Sequence, residues 1–208
     1  MFGGNFQTWK LHSAQDYFMF FAYILAGVLV FWLIAKHMNK QRNHEKAVEK
    51  VSGRLKKICG KPGEVLKNTT LNLPEGKMTF DAVLMDKRGV YLVRTYGWGI
   101  KIYGTPDGAM WRREDAKRKE EFENPLLELK KGAAEITKVM EENGVQNLKV
   151  MPMVVFADNF QTPELYLGYG SFSTTYQELK NWYKKQSGVK EVQYDYDKVS
   201  SIMKELAK

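Results

Sequence analysis

The run from Tyr17 to Ala35 contains no Asp, Glu, Lys or Arg. As an α-helix it would be about 28 Å long, which is close to the thickness of the hydrocarbon layer of a bilayer. The run therefore predicts a single transmembrane helix over residues 17–35. A cleaved signal peptide is the alternative, although the run is long for one and no basic cluster precedes it.

Basic residues predict the orientation of this helix. Lys10 is the only Lys or Arg before it, whereas Lys36, Lys40 and Arg42 follow it directly. By the positive-inside rule, residues 1–16 form a short extracytoplasmic segment of a cell-membrane protein and the chain after the helix is cytoplasmic. The lipid bilayer is thus the first expected partner. The helix has no ionisable residue apart from tyrosines, which argues against transport.

Residues 36–59 are predicted to form a basic juxtamembrane helix, with an apolar stripe of Val48, Val51, Leu55 and Ile58. The stripe could pack on the following domain or pair with a second copy, which would make a homodimer through residues 17–58. Its basic residues could also contact anionic lipid. The glycines and proline of residues 60–63 break the helix, so the cytoplasmic domain is predicted to span 60–208.

Composition excludes several kinds of site. Cys59 is the only cysteine of the 208 residues, which excludes a disulfide within the chain and a zinc site built from thiolates. The histidines lie at positions 12, 37 and 44, before the predicted domain, which argues against a His-dependent mechanism. The net charge of +8 suits nucleic acid or anionic lipid.

Residues 80–96 are predicted to form two strands joined by a tight turn, because both arms are rich in Val, Leu, Phe and Tyr. Asp86 and Gly89 occupy the first and last positions that a type I turn favours. If these two residues lie opposite each other, Asp81 lies opposite Arg94, and Tyr96 points to the same face as Arg94. A bulge at Gly89 would shift this register by one.

The other elements are predicted from local signals. They are a helix over 64–71, a turn at 73–76, strands at 97–104 and 110–111, a helix from Asn124 to Gly144, strands at 150–157 and 165–167, a helix with a capping box at Thr174 and Gln177 that ends near 186, and a last helix from Asp195 or Asp197. A strand, a helix and a further strand in this order indicate a crossover and a partly parallel sheet.

Residues 112–123 are dense in charges of both signs. Helical pairs would largely compensate one another, so a solvated surface segment is predicted. The segment is also the densest local patch for a nucleic acid or a membrane protein complex. The candidate nucleic-acid-binding residues are Arg112, Arg113, Lys117, Arg118 and Lys119.

Several short motifs in this order resemble the NERD (nuclease-related) domain, a branch of the PD-(D/E)XK nuclease-like superfamily. The resemblance runs from about residue 63 to 158. Gly63-Glu64 is similar to the family's Gly-Glu on its first helix, Phe80-Asp81 to its strand Asp, Val90–Val93 to the strand that normally ends in Glu-x-Lys, Asn124-Pro125-Leu126 to its Asn-Pro-Leu, and Val154–Phe156 to its later buried strand. The resemblance implies an α/β, restriction-endonuclease-like domain, with a mixed β-sheet flanked by helices.

The chain departs from the family at the residues that carry the chemistry. Arg94 and Tyr96 stand where the family has Glu and Lys, and Glu128 stands where a Gln usually follows Asn-Pro-Leu. A nuclease of this class needs two or three carboxylates around a divalent metal, and a Lys near the attacking water. Glu64 and Asp81 are the family's remaining carboxylates, and Arg94 would repel the ion. The departure predicts a retained fold with degenerate chemistry, and no set of metal ligands.

Three functions remain open on sequence alone. The leading interpretation is a membrane-anchored binding or scaffolding protein without catalysis and without a cofactor. The alternative is an endonuclease dependent on Mg²⁺ or Mn²⁺, with Glu75, Asp86 or Glu128 as a third ligand. A self-assembling membrane protein that uses residues 17–58 is the third.

Overall fold

The computed structural model describes residues 14–41, 43–115, 118–158, 161–186 and 194–208. The chain forms two compact units, Met1–Lys40 and Gln41–Lys208. Most of the predicted extracytoplasmic segment, like Lys117 of the charged segment, lies outside the described residues.

Helix α1 spans Ala14–Gln41 and contains the predicted transmembrane run. Its segment Ala14–Lys36 is long and apolar enough to cross a membrane, and none of its most apolar window is buried within the protein. Phe18 and Phe31, for example, are each 74% exposed. The helix therefore differs from the core helix of a soluble domain, whose apolar residues would be covered by other elements.

Helix α2, His44–Cys59, is separate from α1. Asn43 is its N-cap, with extended backbone and a side-chain oxygen that accepts the Glu45 N–H at 2.9 Å. The predicted continuous helix over residues 36–59 is thus interrupted, because the Asn43 side chain satisfies a backbone donor that a longer helix would have bonded itself. Val51 and Leu55 of its apolar stripe are fully buried against the sheet, so the stripe packs on the domain.

The remaining elements follow in chain order. They are β1 (Glu64–Leu73), β2 (Gly76–Asp86), β3 (Gly89–Tyr96), β4 (Lys101–Gly104), β5 (Met110–Glu114), β6 (Lys119–Glu123), α3 (Pro125–Glu142), β7 (Val150–Phe156), β8 (Glu164–Leu167), β9 (Ser173–Thr175), α4 (Leu179–Gln186) and α5 (Tyr196–Leu206).

Two sheets form the domain. The larger has the order β1-β2-β3-β7-β9, and the smaller has the order β6-β5-β4-β8. Strands β1, β2 and β3 are antiparallel, whereas β7 is parallel to both β3 and β9. The larger sheet is therefore mixed, as predicted. One of its faces packs on α3 and α5, and the other packs on α2 and α4. This arrangement is consistent with a nuclease-like fold.

The register of the central hairpin is confirmed. Asp86 lies opposite Gly89, and Ala82 lies opposite Val93. Gly89 has a φ of 142°, and a Cβ at this position would overlap the carbonyl oxygen of Lys149. Glycine is thus required here by both the backbone conformation and the close approach of a neighbouring chain segment.

Two segments predicted as helix or helix-like are strands. Residues 64–71 belong to β1, which pairs along β2 from Glu64 opposite Met85 to Leu73 opposite Gly76. The charged segment 112–123 belongs to the β5–β6 hairpin, in which Trp111 lies opposite Phe122. In both cases a neighbouring strand supplies hydrogen bonds and an apolar face, and this tertiary contribution outweighs weak local preferences.

The predictions for the helices hold at most positions. Asn124 caps α3 by accepting the Leu126 N–H, Pro125 stands at the start of the helix, and the predicted stripe is buried. Asp195 caps α5, so the helix begins at the first of the two predicted starts. The predicted capping box of α4 is wrong, because Thr174 lies in β9 and it is the Thr175 hydroxyl that accepts the Glu178 N–H.

Candidate active site

Asp81 lies where the ladder between β2 and β3 ends. The last backbone pair in this direction is Ala82 with Val93, and beyond it the Asp81 carboxylate accepts the Thr95 N–H at 2.6 Å. The side chain thus takes the place of a backbone acceptor. Asp81 is 5% exposed. A carboxylate that is buried at the end of a hairpin is held in one position by this bond.

The strand alternation changes at the same point. Phe80 and Val83 both face the α3 side of the sheet, although residues three apart in a regular strand face opposite sides. In the neighbouring strand, Asn68 has a φ of 48°, between the pairs Lys67 with Ala82 and Thr69 with Phe80. This local irregularity changes which side of the sheet the side chains around Asp81 face, as bulges commonly do beside functional sites.

Arg94 connects Asp81 to Glu128. Its guanidinium lies 2.7 Å from the Glu128 carboxylate and 3.8 Å from that of Asp81. The predicted cross-strand pair of Asp81 and Arg94 is therefore present, but Glu128 is the closer partner. Glu128 lies in the first turn of α3, where the helix dipole also favours a negative charge. The charge of Glu128 is thus favoured by two neighbours, the helix dipole and the Arg94 guanidinium.

His44 is the residue that the sequence interpretation missed. Its Nε2 lies 3.3 Å from an Asp81 oxygen. The expectation that all three histidines lie outside the domain is wrong for His44, because α2 packs against the sheet and brings its first residue to Asp81. The apolar stripe of α2, together with the capping residue Asn43, was the sequence signal that could have placed His44 here.

Tyr96 is an aromatic core residue. Its ring lies 4.8 Å from that of Trp98 and 5.5 Å from those of Phe122 and Phe156, measured between centroids. Burial raises the pKa of the Tyr96 hydroxyl to about 12, and the nearby Arg94 offsets this only partly. The hydroxyl is therefore neutral at pH 7 and does not supply the positive charge of the Lys that the family carries.

Glu64 does not join Asp81. It is paired with Met85, four positions from Asp81 along β2, which corresponds to about 13 Å. Its carboxylate instead lies 2.8 Å from the Lys204 ammonium and accepts the Ser200 hydroxyl at 3.1 Å. The expected position on a first helix is wrong, because Glu64 begins a strand. The helix before the sheet is α2, whose first turn carries Glu45.

Of the three candidate replacement ligands, only Glu128 reaches the Asp81 site. Glu75 pairs with Lys131 at 3.0 Å. Asp86 pairs with Arg88 at 3.3 Å and accepts the hydroxyl of Tyr183. These contacts attach the β1–β2 connection to α3 and the β2–β3 turn to α4.

The residues around Asp81 do not fit a divalent cation. One oxygen of Asp81 accepts the Thr95 N–H, and the other lies next to His44 and the Arg94 guanidinium. A positive guanidinium between Asp81 and Glu128 repels a cation at the place where those carboxylates could share it. Across the ranges that the structure describes, no group of three or more His, Cys, Asp or Glu residues could hold a metal ion.

The candidate nucleic-acid-binding residues on the β5–β6 hairpin face acidic residues. Arg113 pairs with Glu120. Arg112 and Lys119 each lie 3.2 Å from the Glu114 carboxylate. Acids of the same hairpin thus neutralise much of the positive charge that the sequence suggested for a polyanion.

A small cavity of about 200 Å³ lies beside this hairpin. Trp98, Arg113 and Arg118 line it together with Asp115 and Asp158, so its charge is mixed. The Arg113 guanidinium lies 4.2 Å from the Trp98 ring centroid. Arg118 also faces this cavity, but it shares the cavity with Asp115 and Asp158.

The fold and this site define a nuclease-related α/β domain. The sequence profile of the nuclease-related domain (NERD) family matches residues 40–157, which is more than half of the chain. The chain belongs to the NERD family. The match includes α2 and ends after β7, so β8, β9, α4 and α5 lie beyond it.

An uncharacterized protein of Bacillus anthracis is 32% identical to this chain over 112 residues. The aligned part covers 52% of this chain and 52% of that relative, so the chain spans about half the length of the relative. No solved structure matches the chain.

Proposed function

We propose that this chain is a single-pass membrane protein whose cytoplasmic NERD domain binds a partner and does not cleave nucleic acid. The observation that carries the proposal is the position of Arg94, between the carboxylates of Asp81 and Glu128. In a metal-dependent nuclease, that space would belong to the cation. Here a guanidinium supplies the positive charge permanently, because Arg is not deprotonated in proteins.

Two further features support the loss of catalysis. Tyr96, at the position of the family's Lys, is neutral at pH 7 and packed among aromatic rings. Glu64 is paired with Lys204 on α5, far along β2 from Asp81. The residues that would hold the metal ion or supply the Lys of a nuclease of this class are thus either replaced or engaged elsewhere.

The membrane location rests on α1. Its exposed apolar surface would be unfavourable in water and suits a lipid environment. The excess of Lys and Arg after it supports a cytoplasmic location for the domain. The apolar stripe of α2 is covered by the sheet, so the proposed homodimer through residues 17–58 would use α1 and not that stripe.

A cleavage and binding assay tests the proposed function. The full chain in neutral detergent is mixed with labelled DNA or RNA, with Mg²⁺ or Mn²⁺, at two salt concentrations. We expect no cleavage. A shift that weakens with salt would make nucleic acid the partner, whereas no shift would direct the search to proteins, including a membrane complex.

Two variants make the result decisive. Asp81→Ala is the control for contaminating nucleases, and cleavage that this substitution abolishes would overturn the proposal in favour of a metal-dependent endonuclease. Arg94→Glu with Tyr96→Lys restores the family's residues at both positions. If Mn²⁺ raises the melting temperature of this variant but not that of the unaltered chain, Arg94 is what excludes the ion.

A further inference from the structure

A basic groove lies between α2 and α4, on the side of α2 that faces away from the sheet. Its basic residues are Lys50, Arg54 and Lys57 of α2 and Lys180 of α4. Glu49 is the one acidic residue that lines it. The groove therefore carries a net charge of about +3, and this surface differs from the β5–β6 hairpin, whose cations face glutamates.

The groove is a shaped site as well as a charged surface. Its volume is about 500 Å³, within the range of pockets that hold small molecules. Arg54 is held by two contacts from a distant part of the chain. Its guanidinium lies 4.7 Å from the ring centroid of Tyr176 and donates to the Gln177 carbonyl at 3.4 Å.

Lys57 and Lys180 are available for a ligand. Lys57 and Lys180 form no ion pair with any residue that the structure describes. Ammonium and guanidinium groups that converge on one concave site are the usual ligands of a phosphate group. Ile58 adds an apolar wall, which suits the carbon skeleton attached to such a phosphate.

Gly53 lines the groove, and the presence of glycine at this position indicates that the open space of the groove has a function. Glycine in the interior of a helix is less favourable than alanine. A Cβ at Gly53 would meet no atom within 4 Å, so packing within the domain does not require glycine here. The absence of a side chain keeps the groove open between Lys50, Arg54 and Lys57.

We propose that this groove binds the phosphate group of an anionic phospholipid, an inference that rests on the membrane location proposed above. Helix α2 begins three residues after the end of α1, so the groove is tethered by a short segment to the helix that would lie in the bilayer. A short tether raises the effective concentration of headgroups at the groove. A nucleic acid would favour a longer basic track, and the paired charges of the β5–β6 hairpin do not extend one.

The test measures lipid binding to the full chain in neutral detergent. The chain is titrated with phosphatidylglycerol or phosphatidylcholine, and bound lipid is counted by native mass spectrometry. We expect a clear preference for phosphatidylglycerol. Lys57→Gln with Lys180→Gln should weaken that binding about 25-fold, since each basic residue near an anionic surface contributes about fivefold. Gly53→Leu should remove the preference by filling the groove, while all charges remain.

A matched control separates the groove from general charge. Lys77 and Lys138 are exposed on β2 and α3, outside the groove. The double substitution Lys77→Gln and Lys138→Gln removes the same charge and should change the affinity less than twofold. If both double variants weaken phosphatidylglycerol binding equally, or if the unaltered chain shows no preference for phosphatidylglycerol, the proposal that the groove binds the lipid is wrong. Gly53→Leu should remain folded, because leucine is a better helix former than glycine and has open space.

Other outcomes identify a different ligand. If soluble glycerol phosphate binds the groove as tightly as the lipid, the occupant is a small phosphate compound and the lipid proposal is wrong. If the groove variants no longer bind labelled single-stranded DNA but still bind phosphatidylglycerol, the groove is a nucleic-acid site. Membrane fractionation of the same chain is an independent check, so failure of the groove and failure of the membrane location can be told apart.

Discussion

Substitution of Arg94 by Met removes the charge that separates two carboxylates and keeps an apolar chain in its place. The pair with Glu128 contributes roughly 0.2–1 kcal/mol, because the Glu128 side chain is 51% exposed. The larger effect comes from Asp81, whose side chain is only 6% exposed. Removal of the partner of a fully buried charge costs about 3–5 kcal/mol. Asp81 keeps the Thr95 N–H and His44, so we expect a total loss of about 2–3 kcal/mol.

Thermal unfolding measures this loss. For a domain of this size, about 1 kcal/mol corresponds to roughly 2–4 °C in melting temperature, so Arg94→Met should lower the melting temperature by about 4–12 °C. Arg94→Glu should lower it further, because three carboxylates would then lie together. Circular dichroism of the full chain in neutral detergent follows the transition of the domain.

Two further variants test the physical reason. Asp81→Asn keeps an oxygen for the Thr95 N–H and removes the buried charge, so adding it to Arg94→Met should recover at least half of the loss. Glu128→Gln alone should cost less than about 1 kcal/mol. The reasoning is refuted if Arg94→Met leaves the melting temperature unchanged, or if the Asp81 and Arg94 substitutions are simply additive.

Two other predictions concern buried polar groups. The Tyr91 hydroxyl is buried without a hydrogen-bond partner among the described residues, and burial, reinforced by Asp86, raises its pKa to about 12. Because the unfolded chain loses this proton near pH 10, the contribution of Tyr91 to stability is present below pH 10 and falls by up to about 3 kcal/mol towards pH 12. In denaturant titrations, the Tyr91→Phe variant should therefore be at least as stable as the unaltered chain at pH 7. Between pH 7 and pH 11 it should lose less stability than the unaltered chain. A loss above about 1 kcal/mol for the variant at pH 7 would contradict this. Asn124 caps α3 through its oxygen, and its amide nitrogen donates to the Gly108 carbonyl at 2.7 Å. Asn124→Asp keeps the capping oxygen but sets a buried carboxylate oxygen against the Gly108 carbonyl, so it should cost at least as much as Asn124→Ala, for which we expect about 2–3 kcal/mol in the same titrations; a smaller loss for Asn124→Asp would contradict the role of the donor bond.

Elements specified by neighbouring residues were predictable. The register of the β2–β3 hairpin follows from its turn, and α3 follows from its Asn-Pro start and apolar stripe. Such signals act within a few residues, where the chain has few alternative conformations.

Elements specified by distant partners were not predictable from the sequence. The β1 and β5–β6 segments have charged or polar sequences that a helix also tolerates, and they become strands because β2 and β4 offer an edge and an apolar face. The false capping box at Thr174 has the same cause, since pairing of β9 with β7 draws that residue into the sheet.

The sequence by itself determined that the chain has one long apolar helix, a nuclease-related hairpin with Asp81, and Arg and Tyr in place of Glu and Lys. Only the tertiary structure decided which charges meet. Arg94 contacts Glu128 from 34 positions away, and Arg54 contacts Gln177 from 123 positions away. The physical reason is that such contacts depend on how helices pack on the two faces of a sheet. That packing is set by burial of apolar surface over the whole domain, which no local pattern of residues encodes.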